Sequence, residues 1–156
     1  MNSSYPVITP ALVVNDGAKA LDFYRAAFGA EERYRMATPG GGVGHAEFTI
    51  GAQLLMLGDE MPGCNKSPLT LGGVAGKLVL QVPDTDAAFQ RAVAAGATAV
   101  MPPADQFYGW RMGLVRDPFG HEWMIQHEIE KVSPEEMKRR WEEMVTSGVK
   151  CDGEPK

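Results

Sequence analysis

The sequence predicts an α+β protein made of two β-α-β-β-β units and a C-terminal helix. Three observations predict it. One layout, an apolar run followed by Asp, an amphipathic stretch and Gly-Ala, occurs twice, over residues 8–31 and 78–100. Each copy is followed by three short segments of strand character separated by Gly and Pro. The end of the chain changes character: Ser133-Pro134-Glu135-Glu136 introduces apolar residues at helical spacing. Few residues are identical between the copies, so what repeats is the order of the signals.

The elements follow in order. In the first copy ITPALVV is rich in β-branched residues and reads as a strand. Asp16 is an N-cap, because its carboxylate can accept the free amides of a first helical turn. Leu21, Tyr24 and Phe28 form one apolar stripe. Gly29 suits the left-handed residue beyond the helix. Strands are expected over 32–38, 45–50 and 53–57, joined by PGGG and Gly51. In the second copy LVLQV is the strand, Asp84 the N-cap, Phe89 and Val93 the stripe, and Gly96 the helix stop. Strands are expected over 97–101, 109–115 and 122–126, with PPADQFY and RDPFGH as joints. The units therefore span 1–57 and 77–130 within one structural domain, with a Gly- and Pro-rich linker at 58–76. The final region, 131–156, is a helix and tail. Ser133 caps the helix, Pro134 takes its first position and Glu136 completes a capping box. Met137, Trp141, Met144 and Val145 line one side, Gly148 ends it, and 150–156 reads as a frayed tail.

Composition excludes several classes. With 44% hydrophobic and 22% charged residues the chain is not disordered. A net charge of −5 argues against nucleic acid as a partner. Lys138-Arg139-Arg140, among glutamates, reads as a solvated helix face. No apolar run approaches the roughly 18 residues of a membrane span, and the first ten residues lack the features of a signal peptide. Cys64 and Cys151 stand apart, without zinc spacing, which fits free thiols in a cytoplasmic protein.

The segments ITPALVVNDGAKALDFYRAAFGAEE, VGHAEFTIG, LLMLGDE, PPADQFYG, RDPFGHEW and HEIEKVSPEEMKRR resemble the vicinal oxygen chelate superfamily over nearly the whole chain. That group includes glyoxalase I, extradiol dioxygenases, fosfomycin-resistance enzymes and bleomycin-binding proteins. The PhnB-like branch is the nearest match. The resemblance implies a curved eight-stranded mixed sheet around a cavity, commonly in a homodimer. In metal-using members it implies four ligands, His or Gln and Glu, from the first and last strand of each unit.

Carried onto this chain, those four positions fall on or near Thr9, Leu55, Lys77 and Met124, none a good ligand for a divalent cation. Neighbours at even spacing are Gln53, Gln81, Glu122 and Gln126, three amides and one carboxylate. No metal and no other cofactor is therefore expected. His45 and Glu47 alternate along one strand and offer a base or half a metal site. The favoured reading is a polar pair on a solvated or dimer-facing side. His121 is expected to hydrogen-bond within its turn, and His127 to face the helix with Trp123 and Ile125. The stretch Asp105-Gln106-Phe107-Tyr108-Gly109-Trp110-Arg111 is the most ligand-like, since its aromatics offer flat apolar faces and Arg can stack on them or clamp a carboxylate or phosphate, with ordinary core packing of the aromatics as the equal alternative. Tyr108 and Arg111 are its favoured contacts and Phe107 is assigned to the core. Cys64 is an ordinary thiol and no GxSxG elbow is present.

The expected function is binding of a small, partly apolar organic molecule without the family metal. Gln53, Gln81, Gln106, Tyr108, Trp110, Arg111, Met124 and Gln126 are the candidate contacts. One alternative is a metal-dependent lyase or isomerase of glyoxalase type, with His45, Glu47 and Glu122 as candidate catalytic groups. A second is a subunit that docks a partner, most simply its own copy, through the C-terminal helix. Whether the units pair within one chain or are swapped between chains stays open.

Overall fold

Local signals become two copies of one ladder in the computed structural model, which describes residues 5–147. Gly148, Cys151 and the 150–156 tail lie outside the described residues. The first unit comprises β1 (Ala11–Val14), α1 (Gly17–Phe28), β2 (Glu31–Ala37), β3 (Val43–Ile50) and β4 (Gln53–Asp59). A one-turn helix, α2 (Pro68–Leu71), lies in the connection. The second unit comprises β5 (Lys77–Gln81), α3 (Thr85–Ala94), β6 (Thr98–Asp105), β7 (Trp110–Arg116) and β8 (Glu122–Glu128). The chain then enters α4 (Pro134–Thr146). No helix among the described residues is long and apolar enough to cross a membrane.

The caps explain where the helices start. Asp16 accepts from the Lys19 amide and Asp84 from the Ala87 amide, each at 3.0 Å. The strand that closes each unit supplies a second acceptor: Asp59 takes the Gly17 amide, and His127 Nδ1 takes the Thr85 amide at 3.1 Å. First-turn donors that lack partners inside the helix are thus held by the sheet. Gly29 ends α1 in the left-handed region at φ 68°. In α3 the cap is Ala95 instead, and Gly96 follows it. In α4 only half of the expected capping box forms. Ser133 accepts from the Glu136 amide at 3.2 Å, while the Glu136 carboxylate turns to Arg139 and Arg140.

The eight strands form two four-stranded mixed sheets, ordered β1-β4-β3-β2 and β5-β8-β7-β6, which do not close on each other. β1–β4 and β5–β8 are parallel and the remaining pairs antiparallel. β6 continues through Pro102 and Pro103, which the sequence assigns to a joint. It is an edge strand with a register shift between Met101 and Ala104, and an edge with a bulge tolerates residues that lack an amide proton.

One face of each sheet is covered by its helix, and the two helices pack on each other, so both units share one core. Tyr24 stacks on Phe48 with ring centroids 5.4 Å apart, and Phe28 meets Trp123 of the second unit at 4.7 Å. The buried Asp117 joins the units. It accepts from the Tyr24 hydroxyl at 2.8 Å and from Trp123 Nε1, the Phe119 amide and the His121 amide at 2.9 Å each. Four donors are what allow a carboxylate to sit there.

Candidate functional site

Strand alternation assigns every side chain to the helix side or to the helix-free side of its sheet. Leu55 pairs with Phe48 and Leu57 with Ala46, and all four belong to the core. Met56, one residue along, therefore projects from the helix-free side. It stands opposite Ala11 on β1 and Glu47 on β3. In the second sheet Met124 stands opposite Val79 and Leu114. Ala11 and Val79 each precede their capping Asp by the same interval, so Met56 and Met124 are equivalent positions.

This corrects the expected ligand set. Leu55 and Gln53 share the helix-side parity, and Gln53 ends exposed at the strand start, its amide donating to the Leu54 carbonyl at 2.8 Å. Met56 replaces Leu55 at the position equivalent to Met124. Lys77 and Glu122 do face each other in register on the helix-free side, as do Gln81 and Gln126. No group of three His, Cys, Asp or Glu side chains that could hold a metal occurs among the described residues. At the four expected positions and their even-spaced neighbours the donors, thioethers, amides and one ion-paired carboxylate, do not fit the divalent ion that the resemblance implies.

His45 and Glu47 also lie on the helix-free side, but not as a solvated pair. Glu47 is only 1% exposed. Its Oε1 accepts from the hydroxyls of Tyr5 and Tyr34, both at 2.9 Å, with His45 Nε2 at 3.7 Å. Arg33 Nη1 lies 3.4 Å from Oε2 as an ion pair, yet Oε2 accepts no hydrogen bond. Burial works against the ionised form. The bonds from Tyr5, Tyr34 and His45, together with the charge on Arg33, outweigh it and hold the carboxyl below its ordinary value. The same bond pushes Tyr34 up to about 12.

A separate cavity of about 440 Å³ lies where the free edges of β1 and β5 approach. Leu12, Val13, Leu71, Val74 and Leu78 give it an apolar wall, and Lys77, His121 and Glu122 supply polar groups. His121 does not bond within its turn through its ring, as expected. Nε2 reaches across to the Val13 carbonyl at 3.0 Å and ties the second unit to the edge of the first. Glu122 is neutralised by Arg116 at 2.8 Å and Lys77 at 3.8 Å.

The 106–111 segment is dispersed. Arg111 lies on the helix side and is clamped by Asp86 and Asp105, so it is already paired. Phe107 is half-buried in the β6–β7 turn. It meets Tyr108 edge-on at 5.1 Å and Trp141 of α4 at 5.7 Å, outside the shared core. Tyr108 is half-buried and Gln106 donates to the Ala104 carbonyl at 3.2 Å. Trp110 alone joins Met124, Gln81 and Gln126 on the helix-free side of the second sheet. Cys64 is exposed and unpaired. The apolar stripe of α4 stays half-exposed, with Trp141 at 48%. The linker residues of the cavity escaped sequence reasoning, because a stretch without periodicity carries no signal of which side chains turn inward.

The paired mixed sheets with internal helices are matched by the sequence profile of the Glyoxalase/Bleomycin resistance protein/Dioxygenase superfamily, over residues 7–125. The chain belongs to that superfamily. Uncharacterised proteins of Mycobacterium bovis and Mycobacterium tuberculosis are 42% identical to it over 137 residues, covering 85% of this chain and 90% and 81% of theirs. Among solved structures, TioX from Micromonospora superposes with a TM-score of 0.63 at 28% identity, covering 81% of this chain and 99% of TioX. FosX from Listeria monocytogenes, a fosfomycin resistance protein solved with Mn(II) and a dihydroxypropylphosphonic acid, superposes at 0.59 over 87% of this chain and 97% of its own. At 18% identity it shares the fold alone.

Proposed function

We propose that this superfamily member binds a small, largely apolar organic molecule at the seam between its two sheets, without a divalent metal. The observation that carries this reading is the cavity of about 440 Å³ between the free edges of β1 and β5. Its volume falls within the range of small-molecule sites, roughly 300–1,000 Å³, and its apolar wall with a few polar groups is the usual composition of such sites. Methionines at the equivalent positions 56 and 124 do not line the cavity and support only the metal-free part of the reading. A thioether is a poor partner for a hard cation. The resemblance to PhnB-like proteins agrees with this reading but names no ligand.

The test is saturation-transfer NMR of the full chain against a panel of fragment-sized aromatic and aliphatic hydrocarbons, ethers and esters that carry no N–H or O–H group. Binders are expected, and Val74→Trp, which fills the cavity, is expected to abolish their signal without unfolding the protein. If V74W binds like the parent chain, the seam is not the site. For the metal, elemental analysis of untagged protein purified without chelator is expected to show less than one-tenth equivalent of Mn, Fe, Ni or Zn. A stoichiometric metal lost on His45→Ala would favour the glyoxalase-type reading.

A further inference from the structure

The Glu47 cluster is a second feature, independent of the seam: Glu47 does not line that cavity. A buried carboxylate is costly unless its lone pairs are used. Here one oxygen takes two phenolic hydrogens, and the other, buried, takes no hydrogen bond despite the nearby guanidinium. The fold does not require this arrangement. In the second unit the position equivalent to Glu47 is Leu114, which stands opposite Met124 as Glu47 stands opposite Met56. Leu114 is buried at 3% exposure, and Met101 takes the place of Tyr34 beside it. The same ladder therefore closes with apolar side chains and no orphaned oxygen.

What covers Glu47 is also informative. Tyr5 comes from the irregular segment before β1, is itself 45% exposed, and reaches Glu47 from a distant part of the chain. Tyr5 thus reaches Glu47 from an irregular segment, whereas Tyr34 is held on β2.

We propose that Glu47 anchors a second small-molecule site, which takes the N–H or O–H donor group of an organic ligand once Tyr5 is displaced. The donor bonds Oε2 and replaces the Tyr5 hydroxyl on Oε1, while Tyr34 and Arg33 remain. An ionised carboxylate only accepts, so the site selects amines, amides and alcohols and rejects carboxylates and phosphates.

The experiment measures dissociation constants of benzylamine, benzyl alcohol and benzoate by ligand-observed NMR on the full chain and on the V74W variant, whose seam is filled. Benzylamine and benzyl alcohol are expected to bind V74W and benzoate to bind at least about tenfold more weakly. Glu47→Gln is expected to weaken benzylamine about tenfold, since a charge-assisted bond becomes a neutral one. Glu47→Leu, which copies Leu114 and is expected to fold, should do the same. Tyr5→Phe is expected to tighten benzylamine by about two- to threefold, by removing one competing hydrogen bond. Benzoate binding as well as benzylamine, E47Q and E47L binding like the parent, or no binding of any compound to V74W each overturns the proposal. A parent chain that binds these compounds while V74W does not would leave the seam reading standing and remove this one.

Discussion

The two units share a register and a capping scheme yet differ in what they bury. At equivalent strand ends Asp59 and His127 both hold the first amide of their own unit's helix, α1 and α3. On the helix-free faces the likeness stops: His45, Glu47 and Tyr34 in the first unit correspond to Met112, Leu114 and Met101 in the second. The turns leading to the last strands differ too. Gly51, at φ 56°, lets β3 and β4 join directly, whereas β7 and β8 are joined through the Asp117-Pro118-Phe119-Gly120-His121 turn. Features common to both units are those the ladder needs. Features present in one belong to the joining of the units or to a site.

Substitutions can break this comparison. The largest effect is expected at Asp117, which has no counterpart in the first unit. Asp117→Ala leaves Tyr24 and Trp123 without an acceptor in the core and should cost about 3–5 kcal/mol in urea unfolding. A cost under about 1 kcal/mol would mean that the turn does not hold the units together. Next comes a reciprocal pair. Leu114→Glu buries an uncompensated charge and should cost about 3 kcal/mol or more, while Glu47→Leu should stay within about 1 kcal/mol of the parent. Equal losses would make Glu47 a structural residue. Then the two strand-end acceptors: Asp59→Ala should destabilise by more than His127→Ala, each on the order of 1 kcal/mol, because Asp59 is a charged acceptor of two backbone amides, Gly17 and Val43, whereas His127 Nδ1 takes one amide and meets the Thr85 hydroxyl at 2.8 Å. The smallest effect concerns pH. Tyr34 is raised to about 12 in the folded chain. The protonated phenol is therefore the favoured form, and its contribution is complete below the unfolded tyrosine value near 10 and lost as pH rises toward 12. Tyr34→Phe should flatten the fall in melting temperature over that window, measured against the parent in the same buffers.

Much of the fold was legible because its signals are local. Asp16, Asp84, Gly29 and Ser133 act on amides within a few residues of themselves, and alternation marks strands wherever one face is buried. The misplaced residues depend on partners far away in sequence. Leu55 and Met56 exchange roles with a single residue of register, which the Gly51 turn sets. Arg111 looks like a ligand clamp until Asp86, on α3, takes it. Glu47 looks solvated until Tyr5 crosses from the other end of the unit. Pro102 and Pro103 look like a break until β6 proves to be an edge, where their missing amide protons cost little. The seam cavity could not be read at all, since it forms where two edges and an aperiodic linker meet.

The claim that a small organic molecule sits in that seam without a metal is tested most directly by chemical-shift mapping of the isotopically labelled chain, titrated with a binder from the panel in the presence of a chelator. The largest shifts are expected at Leu12, Val13, Val74, Leu78 and His121, saturating at one equivalent. Shifts confined to other regions, or appearing only when a divalent ion replaces the chelator, would contradict it.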